Sequence, residues 1–297
     1  MKRYFKDEVS FNLMLLPGIA LLIMFSIIPM FGIVMAFQYF IPAKGILGSK
    51  WVGLENFRYL LVLTESMQAL KNTLIIAVAK IFAGLFFPLL FALALNAVRT
   101  RYLKRLSQTI VYLPFFLSWV ILATTFQNLL DLKGPINRLI AAMGGESIYF
   151  LISNTWFQPI LVITDTWKGL GYNAVIYIAA IVSIDPTLYE SAEIDGASKF
   201  QQTRYITLPG MMSTIVLLST LSLGNVLNAG FDQVFNMYNP LVYQTGDIID
   251  TYVYRIGLVQ AQFGLATAVG LFKSVVSMIL ILASYKLAAR YANYRIF

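Results

Sequence analysis

Leu13-Met14-Leu15-Leu16-Pro17-Gly18-Ile19-Ala20-Leu21-Leu22-Ile23-Met24-Phe25-Ser26-Ile27-Ile28-Pro29-Met30-Phe31-Gly32-Ile33-Val34-Met35-Ala36-Phe37-Gln38-Tyr39-Phe40 lies within a stretch, Val9 to Ala43, that holds no charged residue. About 20 mostly apolar residues suffice to cross the hydrocarbon of a bilayer. A helix apolar on every side has no face to offer water. The basic residues before it (Lys2, Arg3, Lys6) resemble the start of a secretory signal. The run is too long for the apolar core of a signal peptide, which spans about 7–15 residues, and no small-residue cleavage site follows it. The segment therefore reads as a retained membrane span.

The rest of the chain agrees. Hydrophobic residues make up 59% and charged residues 12%, about half the charged share of a soluble domain. Five further spans are predicted, at about Asn72–Val98, Thr109–Leu130, Trp156–Ile184, Met211–Phe235 and Ala266–Ala288. The fold class is all-α, a polytopic membrane protein of six helices. Residues 1–12 precede the spans and 13–297 form one transmembrane domain. Pro17, Pro29, Pro88 and Pro114 fall inside spans, where kinks are tolerated if neighbouring helices re-satisfy the backbone.

The net charge of +8 points to an anionic bilayer surface and not to nucleic acid in a chain this apolar. Basic residues concentrate on the side that holds both termini. The cluster Arg99-Thr100-Arg101-Tyr102-Leu103-Lys104-Arg105 contributes most, with Lys199, Arg204, Lys286, Arg290 and Arg295 adding to it. The positive-inside rule then gives N-in and C-in. Cysteine and histidine are absent, which removes disulfides, imidazole or thiolate metal sites and Ser-His relays. No bound cofactor is expected. The nearest approach to a P-loop, Gly270-Leu271-Phe272-Lys273-Ser274, has the wrong spacing and lies inside a span. A membrane enzyme would lack a clustered catalytic pair.

Residues 185–210 join the fourth and fifth spans, where a few residues would suffice. Asp185-Pro186 pairs an N-cap with proline at the first helical position, and Gly196 suits a left-handed C-terminal cap. Ser198 can cap a second short helix, with Pro209 after it. Two short helices joined by a glycine bend are predicted. Their mixed charge and exposed Ala, Ile and Phe fit either a solvated amphipathic hairpin or a surface that docks another protein.

Glu190-Ser191-Ala192-x-x-Asp195-Gly196-Ala197, followed by Ile206-x-Leu208-Pro209, resembles the EAA motif of binding-protein-dependent ABC importer permeases of type I. That motif usually reads E-A-A-x-x-D-G-A with I-x-L-P further on; Ser191 departs from it by one small residue. Trp51-Val52-Gly53-Leu54-Glu55-Asn56-Phe57, Trp167-Lys168-Gly169-Leu170-Gly171-Tyr172-Asn173, Ile28-Pro29-Met30-Phe31-Gly32 and Thr251-Tyr252-Val253-Tyr254-Arg255 are similar to the polysaccharide-type branch of the maltose-permease superfamily. The resemblance implies a bacterial inner-membrane importer with a second homologous permease subunit, an ATPase dimer that binds ATP and Mg, an extracytoplasmic solute-binding protein and a sugar substrate. It also implies that residues 185–210 enter a cleft on the ATPase as a coupling helix. Glu190 then offers a carboxylate to a basic group, Ala192 and Ala197 permit close approach, and Gly196 sets the bend. Asp195 caps the second helix or bonds across the bend, and Leu208 and Pro209 fix where the fifth span begins.

Polar residues within spans point to function or to a paired partner. Asn225, Asn228, Asp232 and Asn236 recur at helical spacing on the fifth span, one face if the helix is continuous. Such a stripe can line a solute path or bond to neighbouring helices. Lys80, Lys168 and Lys273 lie at comparable depth, and Asp165 and Lys168 are spaced to pair along one helix. If the three lysines face inward, they would suit an acidic, uronate-bearing oligosaccharide; pairing with acids on a partner subunit is the plainer explanation, since buried charges are commonly paired. Trp167 beside this pair can stack on a sugar ring. Hence the expectation is a permease subunit importing an oligosaccharide by alternating access. The alternative is a secondary transporter driven by H⁺ or Na⁺, which would use Asp165 and Asp232 and leave 185–210 without a role.

Overall fold

The computed structural model describes residues 2–98 and 100–291, with side chains described over 12–98 and 100–286. Arg99, Arg295 and the side chains of Lys2, Arg3, Lys6 and Arg290, on which part of the charge bias rests, lie outside the described residues. The principal helices are α1 (Lys2–Leu22), α2 (Thr64–Ala97), α3 (Arg101–Tyr112), α4 (Trp119–Leu130), α5 (Phe157–Val182), α6 (Pro186–Ile194), α7 (Lys199–Gln202), α8 (Met212–Leu223), α9 (Phe231–Met237) and α10 (Phe263–Tyr291). Two units are distinguished, one of Met1–Thr64 with Val253–Phe272 and one of Glu65–Tyr252 with Lys273–Phe297.

In the first unit, α1 continues through a π turn at Ile23–Ile27 and a 3₁₀ stretch at Phe31–Phe37. The wider turn lies just ahead of Pro29, where a donor is missing. Gln38–Tyr39 then pairs antiparallel with Lys50–Trp51, Gln38 opposite Trp51. The side-chain amide of Asn56 donates to the carbonyls of Ala36 (2.9 Å) and Gln38 (3.1 Å), holding the chain end of the first span.

In the second unit, α2, α5 and the α9 region enclose a core of Ile76, Phe157, Leu161, Val234 and Met237. A second cluster joins Ala92, Tyr177, Ile181 and Met211. Between membrane helices such packing works through close contact, because lipid is as apolar as leucine. Gly171 of α5 sits where an added Cβ would lie 2.5 Å from the carbonyl oxygen of Val111 and 2.4 Å from the Tyr112 ring, so α3 and α5 approach as closely as backbones allow.

Among the described residues, three segments are long and apolar enough to cross a membrane unbroken: Asn12–Phe37, Thr64–Ala97 and Phe263–Lys286. The count rises to as many as six if each bent helix pair is one span. Two of the predicted spans are interrupted helices. Thr109–Leu130 is not one helix: Leu113–Phe116 tightens into a 3₁₀ turn around Pro114, Leu117 is extended, and the pair Arg101–Phe116 and Trp119–Ala142 is bent by 104°. Ser118 caps α4, accepting from the Ile121 amide at 3.4 Å. Met211–Phe235 is likewise interrupted, since α8 ends before Gly224 and α9 begins only after Gly230, which has φ +88°. Only glycine adopts that conformation readily. A short helix forms at Ile249–Tyr254 and is followed by a π turn at Arg255–Val259.

Candidate functional site

Residues 185–210 fold through local chemistry. The Asp185 carboxylate accepts from the Thr187 amide at 2.9 Å and caps α6, and Pro186 occupies the first helical position. That backbone bond holds the Asp185 carboxyl below its ordinary pKa, because the bond favours the charged form. At the other end, the Ala197 amide donates to the Ala192 carbonyl (2.8 Å) and the Gly196 amide to the Glu193 carbonyl (3.1 Å). With Gly196 at φ +75°, this is a Schellman cap. Ser198 opens α7 with a full capping box, its hydroxyl accepting from the Gln201 amide while the Gln201 side chain accepts from the Ser198 amide.

The hairpin is tied to the chain that follows. Tyr189 Oη and Thr207 Oγ1 are hydrogen-bonded at 2.9 Å, and Lys199 bridges the bend to Glu193. Asp195 ends α6 and does not cap α7; Ser198 does, and the bend is crossed by the Lys199–Glu193 pair. The helical path runs on through Ile206, Leu208 and Pro209, with a π turn at Thr203–Thr207 ahead of the proline, and bends by 57° towards α8. Between α5 and α6 the bend is 67°. Ile194 is 87% exposed, and Phe200, Tyr205 and Leu188 are also exposed. Glu190 and Ser191 face solvent, with Ala192 and Ala197 half-buried. A hairpin so thoroughly capped yet so apolar outside is a rigid element with an uncovered face.

The second feature is a cavity of about 340 Å³ lined by Lys80, Asp165, Asn173, Tyr177, Asn225 and Asn228, among others. Lys80, on α2, has a side chain only 8% exposed. Its ammonium donates to the Ala229 carbonyl at 2.6 Å and to the Gln233 side-chain oxygen, and lies 3.6 Å from the Asp165 carboxylate. Gln233 is fully buried and donates in turn to the Leu161 carbonyl (2.8 Å) and Thr164 Oγ1 (2.7 Å). An amide whose oxygen and nitrogen both find buried partners locks three helices at one point.

The expected polar stripe is therefore not a stripe. Asn225 and Asn228 precede the Gly230 break and reach the cavity, whereas Asp232 and Asn236 lie on α9 beyond it, where the Asn236 amide donates to the Asp232 carbonyl at 2.7 Å. A helical count cannot be carried across a left-handed residue. Nor does Asp165 form its ion pair with Lys168: it lies against Lys80, and the Lys168 ammonium instead meets the carbonyls of Pro114 (3.4 Å), Phe115 (2.8 Å) and Leu117 (2.5 Å). Lys273 pairs with Asp250 at 2.5 Å, away from the cavity wall. Trp167 is half exposed and packs edge-on against Phe126. Sequence reading did not single out Gln233 or Asn173 for the cavity; Gln233 directly follows Asp232 and falls off the face counted from Asn225 to Asn236. Among the described residues, no group of three or more Asp, Glu, Cys or His gathers as a metal site.

Apolar helices, a polar cavity lined by broken backbone and an exposed capped hairpin together define a membrane transport subunit. The chain belongs to the family of binding-protein-dependent transport system inner membrane components, whose model matches residues 84–293. It is 43% identical over 284 residues to the polygalacturonan/rhamnogalacturonan transport system permease protein YteP of Bacillus subtilis, covering 95% of this chain and 88% of that one. To the B. subtilis protein LplB it is 39% identical over 287 residues, covering 96% and 90%. A crystal structure of a bacterial ABC transporter involved in the import of the acidic polysaccharide alginate contains a chain similar at TM-score 0.89 and 36% identity, covering 97% of this chain and 99% of that one. A crystal structure of a bacterial alginate ABC transporter in complex with an alginate pentasaccharide-bound periplasmic protein contains a chain similar at TM-score 0.88 and 36% identity, covering 98% and 97%. The fold is that of an ABC importer transmembrane domain, and the protein is an inner-membrane permease component.

Proposed function

We propose that this chain is one of two permease subunits of an ATP-driven importer that carries oligosaccharides, uronate-bearing ones among them, into the cytoplasm. The observation that carries the reading is the hairpin at 185–210. It is locally rigid, exposes Ile194 and Phe200, and presents Glu190 to solvent. Both termini and this hairpin lie in the cytoplasm, where an ATPase dimer binding ATP and Mg receives Glu190, Ser191, Ala192, Asp195, Gly196 and Ala197. Ile206, Leu208 and Pro209 pass the motion into the fifth span. A rigid element joined by bends of 67° and 57° to two spans transmits ATPase closure as rigid-body rotation.

The solute passes the cavity wall of Asp165, Asn225 and Asn228, whose carboxylate and amides match sugar hydroxyls. An extracytoplasmic solute-binding protein delivers it. Support for an acidic sugar comes from the relatives, since polygalacturonan and alginate are both polyuronates. The test is uptake by the transporter reconstituted in vesicles with its partner permease, ATPase and binding protein. ATP-dependent uptake of galacturonate- or mannuronate-bearing oligosaccharides is expected, and neutral oligosaccharides alone being carried would overturn the acidic assignment. Uptake by this chain alone, driven by H⁺ or Na⁺ and indifferent to ATP, would overturn the whole reading.

A further inference from the structure

Two interrupted helices leave backbone carbonyls for side chains to satisfy, and a lysine from another helix meets each break. Around Pro114 the chain passes from 3₁₀ turn to extended backbone, and the carbonyl oxygens of Pro114, Phe115 and Leu117 converge on the Lys168 ammonium at 3.4, 2.8 and 2.5 Å, the first of them also accepting from the Leu117 amide at 3.2 Å. Between α8 and α9 the Ala229 carbonyl is taken by Lys80 at 2.6 Å. Irregular backbone at membrane depth survives only where protein or a water-lined cavity satisfies its polar groups. An ammonium has three donors and no acceptor, which suits a cluster of convergent carbonyls better than any neutral side chain.

The partners are used up by these contacts. Lys168 meets three oxygens and lies near the Phe115 and Trp119 rings, at 5.6 and 5.7 Å from their centroids. Lys80 divides its donors among Ala229, Gln233 and Asp165 and has little exposed surface. What each lysine holds reaches further than the lysine does. The Ala229–Gly230 corner fixes the turn that places Asn225 and Asn228 on the cavity wall, and the Asn228 side chain closes that turn on the Gly230 amide at 3.3 Å. Gly230 is also so near that an added Cβ would lie 3.0 Å from the Lys80 nitrogen. At the other break, Phe115 stacks on Tyr172 of α5 with ring centroids 4.0 Å apart.

We infer that Lys80 and Lys168 are positioning residues of the solute path, clamping the two helix breaks through their carbonyls, and that neither reads the charge of the solute. The inference goes beyond the transport reading, because it holds for whatever solute is carried.

The test uses the complete reconstituted transporter. The chain has no cysteine, so Asn225→Cys gives this chain a single label site for a water-soluble maleimide, read on its own band without any solute. Lys80→Met is expected to change that labelling rate by about tenfold, the scale of one lost charge-assisted hydrogen bond. Lys168→Met is expected to cut uptake of neutral and uronate-bearing oligosaccharides by the same factor, while Lys168→Arg, which can still donate to several carbonyls, restores most of it. Unchanged labelling in Lys80→Met overturns the inference, and so does a Lys168→Met variant that loses uronate uptake alone. Lys168 retains partial exposure, so its pair of variants keeps the question decidable if Lys80→Met does not assemble. A transporter that carries no acidic sugar at all would fail the functional proposal and leave the labelling result standing.

Discussion

Replacing Gly196 by alanine isolates the bend of the hairpin from every other contact. A Cβ built on Gly196 meets nothing within 4 Å, yet the residue sits at φ +75°. The substitution therefore adds no clash with neighbouring residues and only the conformational cost of a left-handed L-residue, about 1 kcal/mol. The bend is held by the two cap bonds to Ala192 and Glu193, and both are lost if residue 196 relaxes to negative φ. A cost near 1 kcal/mol lowers the occupancy of the bent form roughly fivefold relative to its competitors. If that form is the one the ATPase grips, binding-protein-stimulated ATP hydrolysis in the reconstituted transporter falls by up to about the same factor. Gly196→Asn should fall much less, because asparagine visits the left-handed region more readily. Equal stimulated hydrolysis in wild type and Gly196→Ala would refute the reasoning. Equal losses for alanine and asparagine would move the cause from backbone conformation to a direct contact at this position.

Gly171→Ala forces its Cβ against the Val111 carbonyl and Tyr112 ring. It should cost about 1–3 kcal/mol by overpacking, seen as a lower melting temperature of the purified protein in detergent. Ser198→Ala removes the hydroxyl half of the capping box, worth about 1 kcal/mol, and should speed amide exchange at Gln201 and Gln202 with little effect elsewhere. The Asp185 cap depends on pH in a defined direction. Since its carboxyl is held below the ordinary value in the folded chain, the contribution is complete above about pH 4. It is lost as pH falls through the lowered pKa. Protection of the Thr187 amide, taken relative to its intrinsic exchange rate at each pH, should fall on acidification in wild type and stay flat in Asp185→Asn.

The hairpin was legible in the sequence because its determinants are local. Asp185-Pro186, Gly196 and Ser198 with Gln201 each act within a turn of the residue they cap, so spacing alone predicts the geometry. Unbroken spans such as Thr64–Ala97 were equally plain. The interrupted ones were hidden by continuing hydrophobicity: Leu223, Val226 and Leu227 around Gly224 read as more helix, although the glycine pair at 224 and 230 was in view. What settles the break is tertiary, a lysine from α2 on the Ala229 carbonyl. The Asp165 partner failed for the same reason. Helical spacing offered Lys168, but Lys168 is drawn to the carbonyls of Phe115 and Leu117 beside Pro114, and Asp165 falls to Lys80 on α2. Local chemistry can be counted along a chain; the competition among partners from different helices cannot.

The central claim is that residues 185–210 are a lever held by a separate ATPase inside the cell. Ile194, 87% exposed at the end of α6, is the place to measure it in this cysteine-free chain. With Ile194→Cys and a single cysteine in the cleft of the ATPase subunit, oxidation should join the two chains and stop ATP-driven uptake until the bond is reduced. Modification of that same cysteine in intact cells by a membrane-impermeant maleimide, with no link to the ATPase, would contradict it.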